Sequence, residues 1–323
     1  MATALQPLRR IAAYGICTDE SGRLLLVRAS VDSGTPGVWS LPGGAVAHGE
    51  HPFDTVVRET AAETGLSVGV ERLVDVLADL RALPERGLAI HTDRLIYEVR
   101  LRGGTVRDRV GQPTDLARFV PRAALHSYTL RPFTAAALGL APDLTDLPPD
   151  EADPMGARQA LAPQTLPSFH AVPGPDGLPR AQRFAAYAVA SDPRGRLLLT
   201  RISTGYPGEG QWHLPGGGTD YGEQPGAALI RELAEETGQR GRLLRLLGVA
   251  SHRDAASLGP EGYPIDWHGV RAFYRVHVPH PTDPRVLDAG GSTSEARWFA
   301  PADLAGLART EVTIEALHQA GIG

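Results

Sequence analysis

Short apolar runs bounded by polar and turn-forming residues recur along the chain and predict buried strands. LLLV at 24–27 and LLLT at 197–200 are each preceded by Asp, Gly and Arg within a few positions. RLIYEVRL at 94–101 and RAFYRVHV at 271–278 are rich in the β-branched and aromatic residues that strands favour. The pattern therefore predicts at least two buried strands in each half of the chain.

Two segments between these strands have the period of a helix instead. Residues 225–237 begin with a proline, which suits a first helical turn, and end before Gly238, which suits a left-handed cap. Residues 52–64 repeat this arrangement and end before Gly65. The apolar faces predicted for the two helices comprise Ala227, Leu229, Ile230, Leu233 and Ala234 in one, and Val56, Val57 and Ala61 in the other.

The two halves of the chain are copies of one another. Residues Arg10–Leu66 align with residues Arg183–Gln239 without a gap, and about half of the aligned positions are identical. Nine of the 27 prolines fall in residues 141–180, a composition that favours an extended linker. The sequence thus predicts an N-terminal domain at 1–140, a proline-rich linker at 141–180 and a C-terminal domain at 181–323, each a compact α/β sandwich.

Composition narrows the classes of partner. The net charge of −5 and the absence of a basic stripe argue against a nucleic-acid polymer as partner. The chain has one cysteine, Cys17, and no apolar run of about 18 residues, so we expect a soluble, cytoplasmic protein without membrane association. All 32 basic residues are arginine, so side-chain contacts to phosphate must come from guanidinium groups.

Four glutamates gather around the second predicted helix, at positions 223, 232, 235 and 236. Residues three and four apart on a helix are neighbours, so Glu232, Glu235 and Glu236 repel one another unless a cation lies among them. Such oxygen-rich groups suit magnesium, although a solvated helix face is the alternative. The glycine run at 216–218 lowers the weight of that alternative, because bare backbone can approach a phosphate or a metal ion.

These residues match a signature of fixed spacing: G, five residues, E, seven residues, then REUxEExGU, where U is bulky and apolar. Gln239 departs from it at the last position. On this pattern the chain resembles the Nudix hydrolases, the MutT-like pyrophosphohydrolases, in both halves. The resemblance implies two tandem α/β/α sandwich domains with mixed sheets, dependence on Mg²⁺ (with Mn²⁺ as an alternative), and hydrolysis of a nucleoside diphosphate linked to another group. The matching positions are Gly217, Glu223, Arg231, Glu232, Leu233, Glu235, Glu236 and Gly238.

The resemblance also assigns roles. It implies metal ligation by the carbonyl of Gly216 and by the carboxylates of Glu232, Glu235 and Glu236, with Gly217, Glu223 and Gly238 supporting the loop and helix. Glu232 is the first candidate for the base that activates water, and Glu236 and Arg231 complete the expected catalytic set. Arg201 lies where the family often contacts phosphate, with a plain surface charge as the alternative. Further candidate ligands are Glu295, Asp266 and Glu261.

The first copy departs from the signature. It keeps Gly43 before the glycine of the signature, Glu50, Arg58, Glu59 and Glu63, and it has Arg28 where Arg201 stands. Thr60 replaces an apolar residue and Ala62 replaces a glutamate. Because one anionic ligand is missing, we expect little or no hydrolysis in this domain.

The sequence therefore predicts a pyrophosphohydrolase that acts mainly through its C-terminal domain on a small nucleotide, a (deoxy)nucleoside triphosphate by default. One alternative is a nucleotide-binding sensor or scaffold without turnover. Another is an isomerase of allylic diphosphates, which needs a cysteine in the pocket. The repeat further suggests that the two domains pair as an intramolecular pseudo-dimer, with a homodimer of whole chains as a second arrangement.

Overall fold

A computed structural model describes residues 5–108, 113–142, 170–258, 263–288 and 290–322. The chain divides into two compact units. The first comprises Met1–Gln182 together with Ala255–Trp267, and the second comprises Arg183–Asp254 together with His268–Gly323.

The first sheet has the strand order β3-β2-β1-β6-β5, with β4 added to β1 and β7 added to β2. Its strands are β1 (Gln6–Thr18), β2 (Leu24–Ala29), β3 (Trp39–Ser40), β4 (Gly43–Ala45), β5 (Leu66–Leu83), β6 (Leu88–Gly104) and β7 (Thr114–Val120). β1 and β6 run parallel over their whole shared length, from Gln6 opposite Leu88 to Thr18 opposite Arg100. The other pairings are antiparallel, so the sheet is mixed.

Helix α1 (Pro52–Thr64) begins and ends where the sequence predicts, with Gly65 in the left-handed conformation at φ 76°. Its buried face differs from the predicted one in part. Val56 is fully buried but Ala61 is exposed, and Thr60 and Thr64 take inward positions instead. Two 3₁₀ turns (Pro84–Arg86 and Arg122–Ser127) and the short helix α2 (Pro132–Ala137) complete the first unit.

The second sheet repeats the order of the first as β11-β10-β9-β14-β13, with β12 and β8 on β9 and β15 on β10. Its strands are β8 (His170–Pro173), β9 (Pro179–Ser191), β10 (Leu197–Ile202), β11 (Trp212–His213), β12 (Gly216–Gly218), β13 (Arg242–Leu258), β14 (Pro264–His277) and β15 (Thr293–Phe299). Helix α3 (Pro225–Thr237), a 3₁₀ turn (Pro301–Gly306) and helix α4 (Glu311–Gln319) accompany it. The predicted α/β fold with mixed sheets in two tandem halves is confirmed.

Helix α3 follows its predicted bounds, and Gly238 has φ 68°. Leu229 and Leu233 are fully buried as predicted, but Ala227 is exposed and Ala228 is buried in its place. The error is one of phase: a shift of one position turns a side chain by about 100° around the helix.

One core cluster of the second unit lies between its sheet and helix α4. Trp212 and Leu214 belong to it, with 8% and 1% of their surface exposed. The Trp212 ring packs edge-on against Phe299, with ring centroids 4.7 Å apart. Trp39 and Leu41 occupy the same place in the core of the first unit, so the WxLPG segments serve packing in both copies.

Most of the predicted linker, residues 143–169, lies outside the described residues. Its last part forms strand structure: β8 pairs with β9, and Pro173 stands opposite Pro179. Proline is tolerated there because these positions lie at strand ends, where no ladder hydrogen bond is lost. The boundaries of the linker remain a prediction.

In the described part of the chain, no helix combines the length and the apolar character needed to cross a membrane.

Thr60 provides a test of packing in the first unit. Its side chain is fully buried, and among the described residues its hydroxyl has no hydrogen-bond partner. An unsatisfied buried hydroxyl costs about 1–3 kcal/mol. We expect Thr60→Val to raise the free energy of unfolding by about 1 kcal/mol in denaturant titrations.

Thr64 is the matched control, since its hydroxyl donates to the Thr60 carbonyl at 2.6 Å and accepts from the Leu66 amide at 3.1 Å. Thr64→Val should therefore destabilise the domain. Destabilisation by both substitutions would show that the Thr60 hydroxyl is satisfied.

Candidate active site

Strand β12 brings bare backbone against helix α3. Gly216 has φ 137°, and a Cβ there would collide with the carbonyl oxygen of Ala186. A Cβ on Gly217 would come within 2.9 Å of the Glu232 carboxyl carbon. Gly216 therefore requires glycine for its backbone conformation and its neighbouring strand, whereas a side chain at position 217 would displace the Glu232 carboxylate, which lies directly over the strand.

Glu236 faces the same strand from the buried side of the helix. Its Oε2 accepts a hydrogen bond from the Gly216 amide at 2.8 Å, and its Oε1 accepts one from the Thr293 hydroxyl at 2.6 Å. Only 7% of the residue is exposed. Burial raises the pKa of Glu236 to about 7, the two hydrogen bonds oppose the rise, and the charge of Glu232 adds to it. Near neutral pH this carboxyl group is therefore present in both its protonated and its charged form.

Arg231 holds the remaining carboxylates together. Its Nε and Nη2 donate to the two oxygens of Glu223 at 3.1 and 2.9 Å. Its Nη1 donates to Glu232 at 2.9 Å and to Glu235 at 3.1 Å. The fork with Glu223 fixes the plane of the guanidinium group, so Nη1 lies between the two other carboxylates. The pKa of Arg231 rises well above its usual value, chiefly because of the hydrogen bond to Glu223.

Glu232 and Glu235 differ in environment. The Glu235 side chain is 46% exposed, whereas that of Glu232 is 20% exposed. Burial raises the pKa of Glu232; Arg231 and Arg183 oppose the rise, and the charge of Glu235 adds to it. A carboxylate with a raised pKa is a stronger base than an exposed one, which suits Glu232 for taking a proton.

The glutamates of helix α3 and the carbonyl of Gly216 offer oxygen ligands, which are the ligands that a hard divalent ion prefers. The described residues nevertheless gather no three acidic, histidine or cysteine side chains closely enough to hold an ion. The reason is visible in the contacts: Glu236 is bonded to Gly216 and Thr293, while Glu232 and Glu235 both bond Arg231. The guanidinium group occupies the position of a cation between these two carboxylates.

Arg201 lies at the end of β10 with its side chain about half exposed. Its Nε donates to the Gly210 carbonyl at 3.1 Å, and its Nη1 lies 3.7 Å from Glu295. Glu295 also bonds Arg297. Glu295 thus lies between two arginines, and both its metal ligation and phosphate binding by Arg201 stay predictions.

The other candidate ligands lie elsewhere. Asp266 is fully buried and belongs to the first unit, where it pairs with His48 at 3.0 Å and Arg180 at 3.5 Å. Asp266 therefore does not belong to the unit that contains Glu232. Glu261 lies outside the described residues.

His213, which alternates with Trp212 and Leu214, is packed inside the second unit. Its Nδ1 lies 2.7 Å from the Thr310 hydroxyl, and its ring meets Tyr187 edge-on at 4.8 Å. Burial, helped by the positive charge of Arg271, lowers the pKa of His213 to about 4. The ring is therefore neutral at physiological pH.

The first unit keeps the buried half of this arrangement. The Gly43 amide donates to Glu63 at 2.9 Å, and the Thr114 hydroxyl also bonds Glu63. Burial raises the pKa of Glu63 to about 7, as for Glu236. Gly43 has φ 146°, close to the φ of Gly216.

The first unit has fewer carboxylates around the arginine of its helix than the second unit has. Arg58 donates to the two oxygens of Glu50 at 2.7 and 2.8 Å and to Glu59 at 2.5 Å. Ala62, which is exposed, supplies no third carboxylate. With its chief hydrogen bond from Arg58, the Glu50 carboxyl group has its pKa lowered to about 2. Arg58 therefore bonds two acidic residues where Arg231 bonds three.

Arg28 differs from Arg201 in the contacts of its guanidinium group. Its Nε and Nη2 donate to the two oxygens of Asp115 at 2.9 and 2.8 Å. The hydrogen bond from Arg28 lowers the pKa of Asp115. A phosphate at this position would have to compete with that bidentate pair.

Sequence reasoning missed three residues that support the site: Thr293, Thr114 and Arg183. The two threonines are the first residues of the equivalent strands β7 and β15, which lie beyond the gap-free part of the repeat. Arg183 is conspicuous only as the repeat partner of Arg10. A single sequence gives no reason to choose these residues over other polar ones.

Cys17 does not reach the site. It is fully buried in β1, and burial raises its pKa to about 11. The cysteine that an allylic diphosphate isomerase requires is therefore not supplied by Cys17.

Comparison with known proteins agrees with the geometry. The sequence matches the NUDIX domain over residues 8–138 and again over 181–317. Diphosphoinositol polyphosphate phosphohydrolase 2 of Mus musculus is 41% identical over 73 residues, which cover 23% of this chain and 39% of that protein. A MutT-like protein of Streptomyces ambofaciens is 35% identical over 101 residues, covering 31% and 58% respectively. Both matches span less than two thirds of the relative.

Among solved structures, a MutT NUDIX hydrolase from Burkholderia pseudomallei is 34% identical, with 43% of this chain and 97% of that chain covered and a TM-score of 0.34. The two NUDIX matches together span most of the sequence and coincide with the two sheets and their glutamate-bearing helices. The chain therefore belongs to the Nudix hydrolase family and carries one Nudix domain in each half.

Proposed function

We propose that the protein is a Mg²⁺-dependent pyrophosphohydrolase that works mainly through its C-terminal domain. The observation that carries this proposal is the contact set of Arg231, which binds Glu223 through a fork and Glu232 and Glu235 through Nη1. The equivalent Arg58 lacks the third partner because position 62 is alanine. The C-terminal domain therefore keeps one more carboxylate for binding a cation.

The residues that would hold the ion are Glu232, Glu235 and Glu236 with the carbonyl of Gly216. A bound divalent ion would neutralise the negative charge that develops on diphosphate oxygens during attack by water. Mn²⁺, which accepts the same oxygen ligands, is the alternative ion.

The side chains of the site have different roles in this reaction. Glu232, with its raised pKa, accepts the proton of the attacking water at its carboxylate. Arg231 positions that carboxylate, since its guanidinium plane is fixed by Glu223. Glu236, buried against Gly216, anchors helix α3 to β12 and can release its own proton near neutral pH. Arg201 provides a half-exposed positive charge for a phosphate group.

For the substrate, we propose a nucleoside diphosphate linked to another group, a (deoxy)nucleoside triphosphate by default. The name of the Mus musculus relative, a diphosphoinositol polyphosphate phosphohydrolase, supports the diphosphate part. We keep the cytoplasm as the expected location, because a lone buried Cys17 fits a reducing compartment. The pseudo-dimer of the two domains and a homodimer of chains stay predictions from the repeat.

Substitution of the proposed base tests catalysis. Glu232→Gln should lower kcat by roughly 10²–10⁴-fold, because the amide cannot accept the proton of water. The measurement is phosphate or pyrophosphate release from a panel of nucleoside triphosphates and nucleotide sugars with millimolar Mg²⁺.

Glu59→Gln, at the equivalent position of the first domain, is the matched control and should change kcat less than twofold. Equal loss in both variants would show that the N-terminal site is catalytic or that the sites are coupled. A wild-type protein that binds these nucleotides without turnover would favour the sensor reading instead.

The two buried glutamates predict a pH dependence of stability in the absence of metal. Glu63 and Glu236 each have a folded-state pKa of about 7 against an ordinary value of 4.5. The folded state therefore binds more protons, so this contribution is fully present below pH 4.5 and is lost as the pH rises through 7. With EDTA, the unfolding temperature should fall between pH 5 and pH 8.

The double variant Glu63→Gln/Glu236→Gln should lose less stability over the same range, by on the order of 2 kcal/mol for each site. Calorimetry at several pH values makes the comparison. Parallel curves for the wild type and the variant would mean that neither carboxyl group has a raised pKa.

A further inference from the structure

The last turn of helix α3 carries two glutamates of the proposed ion site, Glu235 and Glu236, and the helix ends at Thr237. The final carbonyl groups of a helix have no partner within the helix and need one from outside it. In the second unit such partners come from residues 282–288, which lie between β14 and β15. We call this segment the strap.

The strap donates main-chain hydrogen bonds to carbonyl groups of this turn. The Arg285 amide donates to the Thr237 carbonyl at 2.9 Å, and the Leu287 amide donates to the Glu235 carbonyl at 2.7 Å. The Asp288 amide also donates to the Glu235 carbonyl, at 3.2 Å. Because helix ends fray when nothing holds them, the main chain at Glu235 depends on the strap for its position.

Gln239 fastens the beginning of the strap. Its Oε1 accepts a hydrogen bond from the Thr282 amide at 3.0 Å, and its Nε2 donates to the Thr282 hydroxyl at 2.9 Å and to the Thr237 carbonyl at 3.2 Å. The side-chain amide, in a residue only 1% exposed, therefore has partners for its oxygen and for both of its N–H groups. The Thr282 carbonyl in turn accepts from the Trp298 indole at 3.2 Å, which joins the strap to β15.

The other end of the strap lies beside Glu236. Burial is the main cause of the raised pKa of Glu236, and the negative charge of Asp288 adds to the rise, so the two carboxylates interact. Thr293, the first residue of β15, donates its hydroxyl to Glu236 Oε1 at 2.6 Å. Contacts from both ends of this segment thus converge on the turn that carries Glu235 and Glu236.

The first unit has no such amide at the equivalent position. Leu66, which is 2% exposed, stands where the second unit has Gln239, and an apolar side chain cannot hydrogen-bond a strap. In the described part of the equivalent segment, the Arg107 amide donates to the Thr64 carbonyl at 2.9 Å, so this main-chain contact is common to both units. The glutamine therefore occurs in the domain with the larger acidic set, at the position where that domain departs from the signature.

We propose that Gln239 is a positioning residue for the ion-binding turn of helix α3. Through Thr282 it holds the strap against the helix, and the strap amides hold the main chain of Glu235. The role rests on the proposed function, since the ion is the one proposed for Glu232, Glu235 and Glu236. A turn that is already fixed loses less conformational entropy when an ion binds, so Gln239 raises the affinity without supplying a ligand.

The test compares the whole wild-type chain with Gln239→Leu, which restores the apolar residue of the signature and should keep the fold. In EDTA, hydrogen exchange followed by mass spectrometry should be at least tenfold faster at the Leu287 and Asp288 amides of the variant. Calorimetric titration with Mn²⁺ alone should show the Kd of the tighter site raised at least fivefold. The unfolding temperature in EDTA should shift by less than about 4 °C.

Two variants of Thr282 form a matched pair. Thr282→Ser keeps the hydroxyl and the amide that bond Gln239, so its exchange rates and its Kd for Mn²⁺ should stay within twofold of the wild type. Thr282→Val loses the hydroxyl and should change both quantities in the direction of Gln239→Leu. A residue that served packing alone would lower the unfolding temperature and leave the Mn²⁺ affinity unchanged.

Unchanged exchange or unchanged Mn²⁺ affinity in Gln239→Leu would overturn the role of Gln239. If that variant does not fold, Thr282→Val decides by the same criteria. Absence of both Mn²⁺ binding and turnover in the wild type would instead contradict the proposed function, so the two failures are distinguishable.

Discussion

Repulsion between carboxylates on one turn of helix α3 is the constraint on which the C-terminal site depends. Three glutamates within five positions would destabilise the helix if they faced only each other. Arg231 resolves this by donating to Glu232 and Glu235 through one nitrogen while Glu223 holds the rest of its guanidinium group. Glu236 escapes the repulsion differently, by burial against the Gly216 amide with a pKa near 7. These contacts compensate the repulsion between the carboxylates with groups of the chain itself.

Comparison of the two domains distinguishes the buried glutamate, which both contain, from the acidic partners of the arginine, which differ. Both domains keep a glutamate buried against a left-handed glycine and a threonine, which joins the helix to the sheet. Only the second domain has a third acidic partner for its arginine, Glu235. The equivalent position of the first domain is Ala62, which has no carboxylate. The first domain instead has a cavity with five arginines. Structural support has thus been retained in both copies, while the acidic residues and the basic residues have diverged.

Much of the fold could be predicted from the sequence because the local signals agree. Proline at the first turn and glycine at the cap set the bounds of both glutamate-bearing helices, which the structure reproduces. The helix faces were predicted less well, because burying the small alanine side chain gains little free energy, and Ala61 and Ala227 proved exposed. Gln239, a departure from the apolar pattern, is fully buried because its amide bonds Thr282 twice, at 2.9 and 3.0 Å.

The glutamates and the arginine of the site could be located from their spacing, but their contacts could not. That Glu236 turns toward Gly216 depends on the pairing of β12 with β9, a long-range feature. Asp266 looked equivalent to other acidic candidates, yet the fold places it in the first unit with His48 and Arg180. The arginine-lined cavity of the first unit draws its residues from β1, β5, β6, the 3₁₀ turn between β5 and β6 and the start of α2, so no local sequence pattern predicts it.

The most direct test of the central claim is anomalous diffraction from crystals soaked in Mn²⁺. The account predicts a strong anomalous peak beside Glu232 and Glu235, with Arg231 moved from between them, and a weaker peak or none beside Glu59 and Glu63. Peaks of equal height at both sites, or no peak at the C-terminal glutamates, would contradict it.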